Sequence, residues 1–217
     1  MISTRERILD AAEKMFADQG YSATSVRKII SKARVNLAAV HYHFHSKEEL
    51  LEAVILRRAI PANQERLELL DACEAAAPGG NPSLEEILRA FLAPSLRVVR
   101  DPALGGVVFM RLIARLQAEG DLWQKTVGGH FLPLLDRYGS ALRRALPELS
   151  QEELFWRVHF AIGATTQALR GTETLELFSG GLCRPTDPNL ILDRLIGFVS
   201  AGMRAPVAVH SLSGGTK

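Results

Sequence analysis

Cysteine is scarce in this chain, and long apolar runs are missing. Cys73 and Cys183 are its only cysteines among 217 residues, and they lie far apart. They provide neither a disulfide framework nor the CxxC spacing of a zinc site, which is typical of proteins in the reducing cytoplasm. No stretch reaches the roughly 18 apolar residues of a membrane helix, and the charged N-terminus has no signal-peptide core. We therefore expect a cytoplasmic protein that does not contact a membrane.

Motifs of the common catalytic and nucleotide-binding sites are also missing. The sequence contains no GxGxxG, GxxxxGK, HExxH or GxSxG pattern, so we expect neither an enzyme nor a cofactor. Three histidines lie close together, and His41 and His45, four residues apart, share a helix face, with His43 between them in sequence. Zinc requires three or four ligands, and no nearby cysteine or carboxylate completes such a set. We therefore expect no metal site.

Helical periodicity, in contrast, runs through almost the whole chain. Apolar residues recur at helical spacing from Ile8 onward, and no run alternates with the period of two that indicates a strand. Serine followed three positions later by glutamate is the capping box that opens a helix. This box occurs at Ser3, Ser46, Ser83 and Ser150. The pattern predicts an all-α fold of about nine helices.

Breaks in the periodicity divide the chain into four parts. Residues 77–82, APGGNP, are the clearest loop signal. We predict a helix-turn-helix head over residues 1–46 and a connecting helix over 47–76. A larger helical body covers 83–205, and we expect residues 206–217 to form a loose tail.

The head contains two short helix patterns joined by a tight turn, followed by the connecting helix. Thr24 is predicted to cap the first short helix and Asn36 the second. This layout places a short helix in the major groove of DNA. Residues 1–58 hold ten Lys and Arg against seven Asp and Glu, a mild excess of the charge that phosphates attract.

The second short helix has the side chains that base reading requires. Ala38 and Ala39, after Asn36, let the backbone approach base edges, and Leu37 offers methyl groups to thymine. Arg27 is either a guanine contact or a solvated surface charge. The other predicted DNA-contacting residues, most of them phosphate donors, are Thr24, Ser25, His41, Tyr42, His43 and Lys47.

Residues 35–44, VNLAAVHYHF, followed by residues 46–50, SKEEL, resemble the signature of the TetR family of repressors. Residues 7–12, RILDAA, fall where that family places them. The resemblance implies a homodimeric repressor that binds a palindromic double-stranded DNA operator. Arg34 stands where the family usually has glycine, so the turn needs a left-handed backbone or a different shape. An alternative is a helical interaction or scaffold protein that has lost DNA binding.

The body concentrates aromatic and methionine residues, most of which we expect in the core. Segments near residues 109–112, 153–160 and 198–205 are similar to a TetR subgroup that senses long-chain fatty acids. The resemblance implies a small hydrophobic effector. Three alternatives stay open: the effector is a long-chain fatty acid or acyl-CoA, it is an unrelated apolar molecule, or the protein has no effector. The predicted ligand-binding residues are Phe109, Met110, Ile113, Trp123, Phe131, Tyr138, Trp156, His159, Phe160 and Gly163.

Dimerisation follows from the same resemblance. TetR-like proteins pair through their last two helices, which correspond here to residues 152–170 and 189–204. Gly163 allows another helix to approach closely, and two-fold symmetry places two heads on two half-sites. His159 is either a partner for a ligand carboxylate or a satisfied core histidine. The effector is expected to act by changing head spacing through the connecting helix.

Overall fold

The computed structural model describes residues 2–119, 121–169, 173–184 and 187–207. These residues form helices, turns and loops without a β-strand, which confirms the all-α prediction. None of the described helices combines the length and apolar character needed to cross a bilayer. The described α-helices of six or more residues are α1 Thr4–Gln19, α2 Val26–Ala33, α3 Leu37–His43, α4 Lys47–Ala76, α5 Leu84–Arg100, α6 Gly106–Ala118, α7 Gly129–Ala145, α8 Gln151–Leu169, α9 Glu173–Phe178 and α10 Pro188–Arg204.

Most helix boundaries agree with the sequence pattern, and the departures are local. The connecting helix α4 spans Lys47–Ala76, and it contains Pro61. A single turn over Asp121–Trp123 and a π-helical stretch over Gln124–Gly128 precede α7. The short helix α9 was not predicted. Of the expected tail, residues 208–217 lie outside the described residues.

Serine caps stabilise the starts of four helices, although the full capping box is less common than predicted. At Ser83 both halves form, because Glu86 accepts a hydrogen bond of 2.7 Å from the Ser83 N–H. At Ser3 the Glu6 carboxylate binds Arg57 instead, at 2.8 Å. The capping serines, each accepting the backbone N–H three residues on, are Ser3, Ser46, Ser83 and Ser150.

The apolar core of the head extends into the body. Ile8 and Phe16 of α1 are fully buried, and they share one apolar cluster with Phe109, Leu112 and Leu116 of α6. Helix α6 therefore closes the core that the three head helices begin. The boundary predicted at residue 46 remains a prediction, but this cluster crosses it.

A second apolar cluster holds the rest of the body together. It joins the C-terminal half of α4, around Leu70, to α5, α7, α8 and α10. Met110 and Phe131 pack against both clusters. Because interiors are close-packed, a displacement of these two side chains is felt in both clusters.

A buried ion cluster, which we call the Glu13 cluster, ties α1 to α4. Glu13 is 4% exposed, and its carboxylate accepts hydrogen bonds from Arg57 and from Arg58, the latter at 3.2 Å. Arg57 also binds Asp10 at 2.7 Å. Arg58 donates to the carbonyl oxygen of Ala103 at 2.6 Å, just before α6. The Glu13 cluster thus joins the head, the connecting helix and the entrance to α6.

Gly105 allows this close packing. Its φ of 107° lies in a region of backbone angles that residues other than glycine rarely adopt. A Cβ at this position would lie 2.7 Å from the Cβ of Phe109 and 3.0 Å from Oε1 of Glu13. A larger residue would therefore push the start of α6 away from the Glu13 cluster.

Removing the buried charge of Glu13 is expected to destabilise the whole molecule. Glu13→Gln removes the buried carboxylate that Arg57 and Arg58 share, which costs about 3–5 kcal/mol in the free energy of unfolding. The matched control is Asp10→Asn, because Asp10 is a half-exposed partner of Arg57 and contributes less than about 1 kcal/mol. Urea denaturation followed by circular dichroism measures both. Equal losses for the two variants would contradict a special role of Glu13.

Candidate nucleic-acid interface and ligand site

Helix α3 is short, capped and exposed along one side. The Asn36 side chain accepts a hydrogen bond of 2.8 Å from the N–H of Ala39 at the helix start. Val40 is buried and fastens α3 to the head, whereas Leu37 and Tyr42 are 52% and 82% exposed. The predicted contact residues that α3 exposes to solvent are Leu37, Ala38, His41 and Tyr42.

The predicted contact residues of α2 lie at its first turn. Ser25 is the N-cap, accepting a hydrogen bond of 3.3 Å from the N–H of Lys28. Arg27, in the same turn, is exposed. Both predicted contact residues are therefore accessible to a phosphate or a base edge.

The predicted role of Thr24 is wrong on two counts. Thr24 is 1% exposed, and Ser25 caps α2 in its place. Its hydroxyl donates within the head, to the carbonyl oxygens of Gly20 at 2.7 Å and Met15 at 3.2 Å. Because it is buried, this hydroxyl fastens the end of α1 to the start of α2 and does not face a phosphate.

Lys47 is engaged inside the head and does not extend into solvent as predicted. Its ammonium donates to the carbonyl oxygen of Tyr21 at 2.6 Å and lies 4.0 Å from the Tyr21 ring centroid. Burial lowers the pKa of Lys47. Tyr21 in turn donates to Glu48 at 2.6 Å, a hydrogen bond that lowers the pKa of that carboxyl. To clamp a phosphate, Lys47 would have to leave the Tyr21 carbonyl.

The three histidines after Val40 point to different surroundings. His41 is exposed, whereas the half-buried His43 ring packs edge-on against the Tyr42 ring at 5.0 Å. The backbone N–H of His45 donates to Glu49 at 3.1 Å. Within the described ranges, no group of three or more His, Cys, Asp or Glu is placed to hold a metal ion.

Arg34 adopts the left-handed backbone that its position requires. Its φ and ψ are 54° and 51°, and its N–H donates to the carbonyls that end α2. Arg7 donates to the carbonyl oxygens of Ala33, at 2.7 Å, and Arg34, at 2.5 Å. The tight turn before α3 is thus kept without glycine, at a cost in backbone strain. The geometry of this turn therefore gives no support to the alternative in which Arg34 distorts the head and abolishes DNA binding.

The predicted ligand residues divide into two groups. Six of them lie in the interior, where the rings of Trp123 and Phe131 are 5.2 Å apart. The Tyr138 hydroxyl donates to the carbonyl oxygen of Arg66 at 2.6 Å, and its ring lies 5.0 Å from that of Phe91. The buried or half-buried group consists of Phe109, Met110, Ile113, Trp123, Phe131 and Tyr138.

The other four residues lie on the outer face of α8, so their assignment to a cavity is wrong. Trp156 and Phe160 are 54% and 64% exposed, with stacked rings 5.8 Å apart. His159 and Gly163 are also exposed, so His159 is neither a buried ligand partner nor a core histidine. The sequence alone does not show which side of α8 is covered, because that depends on how α8 packs against α10.

Arg157 lies on the inner side of the same helix. It binds Glu153 at 2.8 Å, as the i,i+4 spacing predicted. It also donates to the carbonyl oxygen of Met203 at 2.7 Å, near the end of α10. Arg157 therefore holds α8 against α10.

A pocket of about 240 Å³ opens beside α6. Small-molecule sites usually enclose ~300–1,000 Å³, so this pocket suits a small group or one part of a longer ligand. Met110 is the predicted ligand residue on its wall. The lining residues are Val107, Met110, Arg111, Ala114, Arg115 and Leu169.

Two arginines of this pocket also hold the head. Arg111 binds the Asp18 carboxylate at 2.8 Å, and Arg115 donates to the Asp18 carbonyl at 3.2 Å. Asp18 belongs to the last turn of α1. The sequence pattern does not mark these pairs, because they depend on how α6 packs against α1.

Arg34→Gly is expected to stabilise the head. Glycine adopts left-handed angles without the ~1–2 kcal/mol penalty of other residues, so the free energy of unfolding should rise by about 1 kcal/mol. Lys32→Gly, inside α2, is the matched control and should lower it by about 0.5–1 kcal/mol. Chemical denaturation measures both changes. A loss of stability in Arg34→Gly would contradict the left-handed turn.

Two family models match this chain. The model of bacterial regulatory proteins, tetR family, matches residues 8–54. The model of the tetracyclin repressor-like C-terminal domain matches residues 89–202, more than half of the chain. The HTH-type transcriptional regulator SrpR of Pseudomonas putida is 45% identical over 58 residues, 27% of this chain and 27% of SrpR. UidR of Escherichia coli is 35% identical over 68 residues, 30% of this chain and 35% of UidR.

These alignments span well under two thirds of either relative, whereas two solved structures match along nearly their whole length. A TetR family transcription regulator from Shewanella sp. PV-4 has a TM-score of 0.61 at 18% identity, covering 91% of this chain and 96% of that one. The fatty acid degradation regulator FadR from Bacillus halodurans has a TM-score of 0.60 at 16% identity, covering 95% and 99%. Such identities establish the fold alone. The N-terminal family model is followed along the sequence by the C-terminal one, which alone covers more than half of the chain. The chain therefore belongs to the TetR family of bacterial regulatory proteins.

Proposed function

We propose that this protein is a homodimeric transcription repressor that a hydrophobic small molecule releases from a palindromic operator. The observation that carries the proposal is the surface of α3. Its first turn is capped by Asn36, exposes Leu37 and Ala38, and rests on the buried Val40. A short helix of this kind fits the major groove with its N-terminal residues at the base edges.

Base reading and backbone positioning fall to different residues. Ala38 and Leu37 approach thymine methyl groups, and Arg27 donates to a guanine. Ser25 and Tyr42 bind phosphates on either side, which sets the register of α3 without specifying sequence. The exposure of these side chains supports the assignment. Thr24 is not included, because it is buried.

A second copy of the chain is proposed to cover the outer faces of α8 and α10. A contiguous apolar surface of this kind marks an interaction site. Gly163, exposed on α8, lets a partner helix approach closely. A two-fold pair also provides two heads for the two halves of an operator. The exposed apolar residues of these helices are Phe155, Trp156, Phe160, Ile162, Leu190 and Phe198.

The proposed effector is apolar and enters between α4, α5, α6 and α7. The six interior ligand residues, rich in aromatic rings, support an apolar ligand. A long-chain fatty acid or acyl-CoA is the favoured class, on the resemblance of the body to fatty-acid-sensing regulators. The pocket beside Met110 is smaller than such a chain, so the interior helices must separate to admit it.

The signal is proposed to reach the head through α6 as well as through α4. Movement of α6 acts on α1 through the bond between Asp18 and Arg111, and through the Glu13 cluster. A changed tilt of α1 alters the spacing of the two α3 helices in the dimer. Effector and operator then weaken each other's binding by the same factor.

Fluorescence anisotropy tests the DNA-binding part of this proposal. The purified protein is titrated onto a labelled fragment from upstream of its own gene and onto scrambled DNA of equal length. We expect selective binding that weakens as salt is added. The logarithm of the binding constant should fall with the logarithm of the salt concentration, with a slope of about −0.9 for each phosphate contact. Equal and weak binding to the upstream fragment and to scrambled DNA would contradict the proposed DNA binding.

Arg27→Ala is expected to reduce selectivity in the same assay. Loss of one base contact lowers the affinity for the specific fragment by about 1–3 kcal/mol and changes the affinity for scrambled DNA much less. Arg89→Ala is the charge-matched control, since Arg89 is exposed on α5 and paired with Asp193. Equal losses on both DNAs would make Arg27 a phosphate contact.

Phe160→Glu is expected to convert the dimer to a monomer. Phe160 is 64% exposed in the single chain. In a symmetric dimer the substitution buries an unpaired carboxylate from each copy, which destabilises the interface. Leu177→Glu is the control, because Leu177 is exposed on α9 outside the α8–α10 surface. Analytical ultracentrifugation gives the mass of each. A dimeric Phe160→Glu variant would exclude this surface as the interface.

A further inference from the structure

Arg66 places a positive charge in the interior of the body. It belongs to α4 and is half-buried between α4 and α5, with its guanidinium carbon 5.1 Å from the Phe91 ring centroid. Burial lowers the pKa of Arg66 to about 10, so the side chain remains charged at neutral pH. The sequence pattern did not distinguish it from the surface cations of the same helix.

The hydrogen-bond partners of this guanidinium are all neutral. Arg66 donates to the carbonyl oxygen of Phe91 at 2.9 Å, to Oδ1 of Asn63 at 2.6 Å and to the hydroxyl of Ser95 at 2.6 Å. Among the described residues, no Asp or Glu oxygen lies within ion-pair distance of it. A buried charge without an opposite charge is costly.

Other arginines that bridge helices differ in this respect. Arg57 binds Asp10, Arg137 binds Asp71 and Arg157 binds Glu153, each through its guanidinium and a carboxylate. At these three places a carboxylate faces the arginine, whereas Arg7 joins α1 to the end of α2 through carbonyl oxygens near the protein surface. Arg66 is supported differently, by oxygens that carry no net charge.

Part of the role of Arg66 is structural, but that part does not require a charge. Pro94 has no N–H to donate to the carbonyl of Ala90, which disturbs the hydrogen bonding of α5 at this turn. Arg66 supports the neighbouring carbonyl of Phe91. A neutral amide side chain would make the same bond. Among the described residues, two of the five guanidinium N–H groups have no hydrogen-bond acceptor, and no carboxylate faces the positive charge.

The surroundings of Arg66 connect it to the interior aromatic residues. The Tyr138 hydroxyl donates to the backbone carbonyl of Arg66, and the Tyr138 ring meets the Phe91 ring edge-on at 5.0 Å. Phe91, Met110 and Phe131 pack against the same apolar cluster that contains Tyr138. A ligand lying among these apolar side chains would have its polar end within reach of the guanidinium.

We infer that Arg66 binds the carboxylate of an amphipathic effector whose apolar part packs against Phe91 and Tyr138. Two parallel N–H donors match the two oxygens of a carboxylate, and the anion supplies the missing opposite charge. The assignment rests on the proposed function, which places an apolar effector in this interior. It adds that the effector is an acid, and that His159 is not its partner.

Calorimetric titration without DNA tests this assignment, with dodecanoate below its micelle concentration and 1-dodecanol below its solubility limit as probes. The wild-type dimer is expected to bind dodecanoate at least about ten-fold more tightly than 1-dodecanol. Arg66→Gln keeps a donor for the Phe91 carbonyl and loses the charge. It should weaken dodecanoate binding by about 10- to 100-fold and leave 1-dodecanol binding within about two-fold.

Arg97→Gln is the matched control, because Arg97 forms an exposed ion pair with Glu65, the residue next to Arg66. It should bind both probes as the wild type does. Arg66→Lys keeps the charge and should recover part of the dodecanoate affinity; if Arg66→Gln does not fold, this variant and the wild-type preference decide. Equal wild-type affinity for the two probes, or unchanged dodecanoate binding in Arg66→Gln, would overturn the inference. Failure of bound dodecanoate to release DNA would count against the proposed function alone.

Discussion

The arrangement of head and body depends on one buried carboxylate, that of Glu13. A carboxylate is stable away from water only when cations and hydrogen bonds replace its hydration. Glu13 obtains both from Arg57 and Arg58 of α4, and Arg58 is itself held by the loop before α6. The single charge therefore requires α1, α4 and the start of α6 to meet at one point. Gly105 lets them come close enough.

The orientation of α3 follows from this arrangement. Helix α1 lies between α4 and α6, and α3 rests on α1 and α2 through Val40 and Phe44. Met110 and Phe131 pack against both apolar clusters, so the body interior and the core under the head share these two side chains. We propose that this shared packing makes the position of α3 sensitive to the body. A regulator needs this property, and an independently folded head would lack it.

Most local signals in the sequence were reliable, although Ser25 caps α2 in place of Thr24, whereas long-range consequences were not. The caps at Asn36 and Ser83 were predicted because a side chain and an N–H three residues apart decide them. Thr24 was assigned to DNA as a phosphate donor, and His159 to the core or a ligand, because the sequence does not show what covers a side chain. Arg66 was overlooked for the same reason, since its lack of a carboxylate partner is visible only when α4 and α5 are packed.

The separation of the two heads in the dimer tests the account most directly. Spin labels at Lys32→Cys, exposed on α2, report it by double electron–electron resonance, with Cys73 and Cys183 replaced by serine. The account predicts one narrow distance distribution on operator DNA, because the half-site spacing sets it. Dodecanoate should shift or broaden that distribution as DNA is released. Release of DNA with an unchanged distance between the heads would contradict the account.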